Sequence, residues 1–186
     1  MKKFLSSFYE VNDKILEEYI SHWSEYSAPK KTIITESGKI EHYLYFVKNG
    51  IQKSYYLNEG KEHVMFFACN PSFSGIVESF LTQTPSNYFL ETITDSTFLR
   101  ISYEKHNQLI KENREIETLF RKITEHFLIT VVEKLQQLMT FNTETRFKNF
   151  MKSDSHLINT IPQKDIASYL RIDPTNFSKL INTVKI

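Results

Sequence analysis

The side chains best suited to reading a base edge lie between Gln163 and Leu180, in the run Gln163-Lys164-Asp165-Ile166-Ala167-Ser168-Tyr169-Leu170-Arg171-Ile172-Asp173-Pro174-Thr175-Asn176-Phe177-Ser178-Lys179-Leu180. An amide such as Asn176 can pair with adenine, and the Lys179 ammonium can reach guanine or a phosphate. The hydroxyls of Thr175 and Ser178 can bond to bases or backbone. With Gln163, these residues form the candidate DNA-contacting set. Their spacing asks for two short helices joined by a tight turn. Ile166 and Leu170 fall four apart on one face, and Ala167 is small where a second helix must cross closely. Ile172 plugs the gap after the turn, Asp173 suits an N-cap and Pro174 suits the first helical position. Phe177 and Leu180, three apart, then face back onto the first helix. Thr175, Asn176, Ser178 and Lys179 are left pointing outward on the N-terminal half of the second helix, the half that enters the major groove in a helix-turn-helix. The plainer alternative is a packed helix pair with a solvated polar face. Arg171 stands at a turn position that often takes a left-handed backbone, which costs a non-glycine residue about 1 kcal/mol.

Other chemistries find little support. The six histidines, His22, His42, His63, His106, His126 and His156, are scattered, with no His-x-His or His-x-x-x-His pair to bind a metal. The single cysteine, Cys69, excludes an internal disulfide framework and an all-cysteine iron–sulfur site within one chain. No nucleophile elbow or glycine-rich phosphate loop occurs. An enzyme is not expected, and neither is a cofactor.

The elements that must position the candidate set fall into four zones. Apolar residues Ile15, Leu16, Tyr19, Ile20 and Trp23 predict an amphipathic helix over 12–23, with Asn12 or Asp13 as its cap. From Thr32 to Ser102 the texture is of short β-runs: Thr32–Thr35, Tyr43–Val47, Ile51–Leu57, His63–Phe67, Phe89–Ile93 and Thr97–Ile101. Turn residues separate them, and Asn49-Gly50 predicts a hairpin. Such spacing suggests a sandwich, roll or barrel. From Tyr103 to Met139, Ile116, Phe120, Ile123, Phe127, Val131 and Leu135 or Leu138 recur at helical spacing without Gly or Pro, which predicts one long helix. Its apolar stripe packs either on the β-domain or on a second copy in a parallel coil. Phe141–Ile186 is short and helical. The fold class expected is α+β, with an N-terminal antiparallel β-roll of jelly-roll type flanked by helices, a long dimerisation helix and a C-terminal helix-turn-helix. The corresponding divisions are 1–102, 103–139 and 140–186.

The chain has 186 residues, 15 Phe and 10 Tyr, and a formal charge of +1. From Thr140 onward seven basic residues face four acidic ones, leaving the body mildly acidic, a distribution compatible with a DNA-reading end. The start, Met1-Lys2-Lys3-Phe4-Leu5, opens like a signal peptide, but Glu10, Asp13 and Glu17 interrupt the apolar run. No stretch approaches the roughly 20 apolar residues of a membrane helix. A cytoplasmic protein without membrane contact is expected.

The order of these features resembles the Crp/Fnr regulators. Gly38, Gly50, Gly60 and Gly75 fall where their cyclic-nucleotide-binding-like rolls turn. Phe73-Ser74-Gly75-Ile76-Val77-Glu78-Ser79-Phe80 resembles their phosphate-binding cassette, and Ile101-Ser102-Tyr103 the exit into the helices. The resemblance implies a transcription regulator that binds a palindromic site on double-stranded DNA as a homodimer. It implies a small-molecule effector and RNA polymerase as further partners. Gly75, Ile76, Glu78, Ser86 and Asn87 are the candidate ligand-pocket residues. Family members that bind cyclic nucleotides carry Gly-Glu in the cassette, then Arg-Ser or Arg-Thr. Here Gly75 is followed by Ile76, Glu78 is shifted by two, and Ser86-Asn87 hold the Arg-Ser place. Without that guanidinium a bidentate phosphate contact is lost, so cyclic AMP is not expected as the ligand. Another small molecule, or the chain's own Phe66, Phe67, Phe73, Phe80 and Phe89, would fill the pocket. Lys152–Pro162 leaves little room for the β-wing of many relatives. A ligand-sensing or protein-interaction module that has lost DNA binding is the alternative function.

Overall fold

The computed structural model describes residues 1–183, so Lys185, counted above in the basic tail, lies outside the described residues. Eight strands form the body: β1 (Ser24–Ala28), β2 (Ile33–Thr35), β3 (Tyr43–Asn49), β4 (Ile51–Asn58), β5 (Lys61–Cys69), β6 (Phe73–Ser74), β7 (Tyr88–Thr92) and β8 (Ser96–Ser102). They make two antiparallel four-stranded sheets, ordered β1-β8-β3-β6 and β2-β7-β4-β5. The two-residue period of a strand sorts their side chains. Tyr45, Val47 and Phe98 join Ala28, Ile76 and Leu90 in the roll interior. Phe46 and Ile101 point out of the first sheet onto the helices α1 (Lys2–Ser6), α2 (Asp13–Ser21) and α5 (Arg114–Thr140). Ile51, Phe67 and Cys69 point out of the second sheet onto the C-terminal helices.

The turn at Asn49-Gly50 is present but is not a hairpin. β3 pairs with β6 and β8, whereas β4 pairs with β5 and β7, so the dipeptide carries the chain from one sheet to the other. Gly50 has φ +93°, and a Cβ there would sit 2.3 Å from Ser96 Oγ. The dipeptide signals positive φ; it does not say which strands pair. The true two-residue hairpin loop is Glu59-Gly60, with φ +50° and +73° between Asn58 and its partner Lys61.

Two strands and two helices lack the pattern sought in the sequence. β1 is Ser-Glu-Tyr-Ser-Ala, a largely exposed edge strand, and β6 is only two residues long. α1 carries the apolar start of the chain into the core, where Leu5 is fully buried. α3 (Val77–Thr82) follows the cassette. The expected helix over 12–23 ends at Ser21, capped by the Asn12 side chain on Lys14 N.

The expected single helix over 103–139 is two: α4 (Tyr103–Glu112) and α5. Asn113 breaks it with φ −135° and ψ 112°, and its Oδ1 accepts from Glu115 N at 2.9 Å and Ile116 N at 3.3 Å. Asparagine competes with helical bonding through its own side chain, so a break needs neither Gly nor Pro. The apolar stripe also differs from the expected one. Ile116 and Phe120 are buried against the chain's own core, and the Phe127 ring centroid lies 5.7 Å from that of Phe66. The unpartnered stripe is instead Leu128, Val132, Leu135 and Met139, between 54% and 76% exposed, with Ile129 beside it. No helix is long and apolar enough to cross a membrane among the described residues.

Candidate nucleic-acid interface

Three helices build the C-terminal unit: α6 (Thr143–Asp154), α7 (Gln163–Leu170) and α8 (Pro174–Thr183), with a short 3-10 turn at Ser155–Leu157 after α6. No strand lies between α6 and α7, so there is no β-wing there. Phe147, Phe150, Ile166, Ala167, Leu170, Ile172 and Phe177 pack together, each at most 4% exposed. Phe147 and Phe177 meet edge to face at 5.6 Å.

The turn follows from its residues. Arg171 is left-handed, with φ 56° and ψ 43°, and closes α7 through bonds from its N–H and from Ile172 N back to Ser168 O and Ala167 O. Arg146 on α6 offsets the strain by donating to Leu170 O at 2.9 Å, Arg171 O at 3.1 Å and Phe141 O at 2.6 Å. It thereby satisfies carbonyls that the helix end leaves unpaired. Asp173 caps α8, its Oδ1 accepting from Thr175 N at 2.9 Å and Asn176 N at 3.3 Å.

With Phe177 buried at 1% and Leu180 partly buried, Thr175, Asn176, Ser178 and Lys179 are exposed together on α8. Gln163 and Lys164 are exposed at the start of α7. The arrangement can present an amide, two hydroxyls and an ammonium to a groove.

The unit is also fastened to the second sheet. Lys53 on β4, 5% exposed, places its ammonium 2.5 Å from Glu62, 3.3 Å from Asp165 on α7 and 3.7 Å from Glu91. Burial pulls the Lys53 pKa down, but the Glu62 bond and the charges of Asp165, Glu91 and Glu62 outweigh it and hold it above its ordinary value. Ser168 Oγ donates to Glu62 O and accepts from Val64 N, both at 3.0 Å. The Arg171 guanidinium donates to His63 Nδ1 at 2.9 Å. On the other side, Lys134 of α5 stands 3.4 Å above the Tyr169 ring, and burial lowers its pKa to about 8. No local pattern marks Arg146 or Ser168. A lysine on the face of β4 shared with Ile51, Lys53, is a signal that could have been read.

Of the candidate pocket residues, Glu78 and Ser86 are brought together, the Ser86 hydroxyl lying 3.4 Å from Glu78 Oε1. Gly75 has φ +143°, Ile76 is buried in the interior, and Glu78 and Asn87 are exposed. Ser86 is buried, and besides Glu78 its hydroxyl meets the backbone, accepting from Tyr88 N at 2.8 Å and lying 3.1 Å from Tyr88 O. The interior is filled by aromatic rings, though not the phenylalanines expected. Tyr26, Tyr43, Tyr45, Tyr88 and Phe98 line it. Phe66 meets Phe127, Phe67 meets Tyr169, Phe73 meets Trp23, Phe80 meets Tyr103, and Phe89 stacks on Tyr55.

An eight-stranded roll is thus joined through a long helix to a helix-turn-helix. Residues 25–113 match the cyclic nucleotide-binding domain family. The chain is 29% identical over 105 residues to the cAMP-activated global transcriptional regulator CRP of Haemophilus influenzae, a match covering 56% of this chain and 47% of that protein. It therefore spans about half the length of that curated relative. FixK2 from Bradyrhizobium japonicum shares the fold with a TM-score of 0.74 at 18% identity, over 86% of this chain and 83% of that one. CLP, a c-di-GMP-responsive global regulator of Xanthomonas campestris, does so with a TM-score of 0.69 at 16% identity, over 92% and 90%. In fold the chain is similar to regulators of the Crp/Fnr type, and its match to the cyclic nucleotide-binding domain family covers residues 25–113.

Proposed function

We propose that the chain is a sequence-specific DNA-binding transcription regulator acting on double-stranded DNA through α8. The observation that carries this is the exposure of Thr175, Asn176, Ser178 and Lys179 on a helix whose opposite residue, Phe177, is 1% exposed. Asn176 and Lys179 supply base contacts, while Thr175, Ser178 and Gln163 position the helix on the backbone. The Leu128–Val132–Leu135–Met139 stripe steps by four, three and four, the spacing of a coiled-coil seam, and is the dimer face. A homodimer so formed presents two copies of α8 to a palindromic site about one DNA turn, roughly 34 Å, across. The test is capture on random-sequence duplexes at low salt, wild type against Asn176→Ala/Lys179→Ala. Wild type is retained and the double variant is not; equal retention of both overturns the reading.

The roll is the sensing domain for a small molecule other than cyclic AMP. Ser86-Asn87 offer no guanidinium, and the Ser86 hydroxyl is already bonded to the Tyr88 backbone. Calorimetry with cyclic AMP is expected to give no heat of binding, and a micromolar Kd refutes this part alone. RNA polymerase is the further partner of a regulator of this kind.

A further inference from the structure

The chain passes from α5 to α6 through two extended residues. Phe141 has φ −92° and ψ 140°, and Asn142 has φ −69° and ψ 168°, so neither continues a helix. Asn142 caps α6, accepting from Thr145 N at 2.9 Å. Such a joint leaves two soft dihedrals per residue about which the C-terminal helices can turn against α5. α8 is held as lightly. Among the described residues its hydrogen bonds stay within the helix and its cap, with Asp173 accepting from Thr175 N and Asn176 N, Asn182 donating to Ser178 O and Thr183 to Lys179 O. Its link to the rest is apolar, Phe177 meeting Phe147 edge to face and Leu180 partly buried. Apolar contact is non-directional, so it does not by itself fix how far a helix is rotated.

One side chain spans both weak points. Arg146, on the first turn of α6, donates from Nη1 to Phe141 O at 2.6 Å, from Nε to Leu170 O at 2.9 Å and from Nη2 to Arg171 O at 3.1 Å. All three nitrogens are used, and all three acceptors are backbone carbonyls. The first carbonyl ends α5; the other two belong to the turn between α7 and α8. Hydrogen bonds weaken steeply as their angle falls, and a charged donor roughly doubles their strength. The guanidinium is rigid and planar, so three bonds from it fix the turn in rotation as well as distance. The next residue, Phe147, is the ring beneath Phe177, which sets the fork and the support of α8 side by side. The fastenings from Lys53 to Asp165, from Ser168 to β5 and from Lys134 to Tyr169 all end on α7 and none on α8. Arg171 reaches His63 from the turn itself, but by one exposed bond.

We propose that Arg146 is the positioning residue for α8: one guanidinium ties the carbonyl that ends α5 to the turn before α8, and so fixes the rotation at which α8 meets DNA. Arg146 then governs discrimination between sequences, and not the strength of binding to DNA at large. This rests on the DNA binding proposed for α8. A base contact needs its side chain placed to within a hydrogen bond, whereas attraction to phosphates is independent of sequence and tolerates rotation. The fixation itself is read without DNA. Nitroxide labels are placed on the full chain at Glu133→Cys in α5 and Asn182→Cys in α8, with Cys69→Ser, and diluted into unlabelled chain. With Arg146 present the pair gives one narrow distance, and Arg146→Met widens its distribution at least twofold.

Discrimination is read as the ratio of the Kd for a random-sequence duplex to the Kd for the duplex that wild type enriches from a random pool. Arg146→Met lowers this ratio at least tenfold. It leaves the random-sequence Kd within twofold and its salt slope unchanged, because no phosphate contact is lost. Arg146→Lys keeps the cation without the planar fork and gives a smaller loss in both readouts, which carries the test where Arg146→Met fails to fold. Asn176→Ala/Lys179→Ala loses discrimination with the narrow distance retained. The proposal is overturned if Arg146→Met keeps the narrow distance, or if Arg146→Lys matches wild type in both readouts. It is overturned equally if both Kd values rise in proportion, as they do for a C-terminal unit that is merely less folded. Should wild type enrich no duplex, the DNA reading fails and takes the discrimination role with it, while the distance still decides whether Arg146 fixes α8.

Discussion

Replacing Lys53 by Met tests whether the sheet holds the C-terminal helical unit by charge. The substitution keeps the length and packing of the side chain and removes the ammonium that faces Glu62, Asp165 and Glu91 at 2.5, 3.3 and 3.7 Å. Asp165 is only 6% exposed on its side chain and cannot turn to water while α7 stays docked, whereas Glu62 at 35% can. Breaking a buried pair by removing one partner costs about 3–5 kcal/mol, because the other charge stays buried and uncompensated. For a domain stable by about 5–15 kcal/mol that is a large fraction, and the least expensive escape is for α7 to leave the sheet. Lys53→Met is therefore expected to lower the urea midpoint and to open trypsin sites in α7 before the roll unfolds. Adding Asp165→Leu removes the trapped carboxylate and restores at least about 1.5 kcal/mol, a coupling a double-mutant cycle resolves. Alkali reports the same contact. With a folded pKa above its ordinary value, Lys53 contributes stability that is full below about pH 10.4 and lost as pH rises through the folded value. A loss under about 1 kcal/mol for Lys53→Met, with no rescue by the second change, would show that apolar packing alone holds the seam.

The remaining expectations concern four other places. Gly50→Ala combines a left-handed backbone with a Cβ 2.3 Å from Ser96 Oγ, and should cost about 2–4 kcal/mol in denaturant unfolding. His106 is buried against Phe120 and bonded to Tyr19 Oη at 2.8 Å, and burial lowers its pKa to about 4. The unfolded chain takes up that proton near pH 6.5, so stability falls from pH 6.5 down to 4 by up to about 3 kcal/mol, and His106→Leu should flatten that limb of a pH series of urea midpoints. Val132→Glu puts a charge in the exposed α5 stripe, and light scattering should read a monomer where the wild type is a dimer. Arg171→Gly relieves φ +56° but loses the His63 bond, so its unfolding free energy should stay within about 1 kcal/mol of wild type with DNA capture unchanged.

What could be read from the sequence is what short-range rules control. Asp173, Pro174 and Phe177 announce the cap, first turn and buried face of α8 within five residues, and the structure places all three so. The six apolar β-runs likewise carry their own period. Long-range facts were not legible. Asn49-Gly50 gives the same local conformation whether the chain folds back or changes sheet, and only the pairings of β3 and β4 decide. The stripe on α5 was misplaced in all but Leu135, because Phe127 is claimed by Phe66 of the roll, 61 residues earlier in the chain, leaving the Leu128 face free. The roll interior was expected to be aromatic, but hydrophobicity does not distinguish a phenylalanine turned outward, such as Phe67 against Tyr169, from a tyrosine turned inward.

The Ser168 hydroxyl bonds to both Glu62 O and Val64 N on β5, the outermost strand of its sheet. A bare outer strand is a template for a foreign chain and a route to aggregation. The C-terminal helical unit thus doubles as a lid on an adhesive border, and any motion that swings it away uncovers that border. A freely swinging unit would trade solubility for reach, so small tilts that keep Ser168 seated are the movements this architecture tolerates.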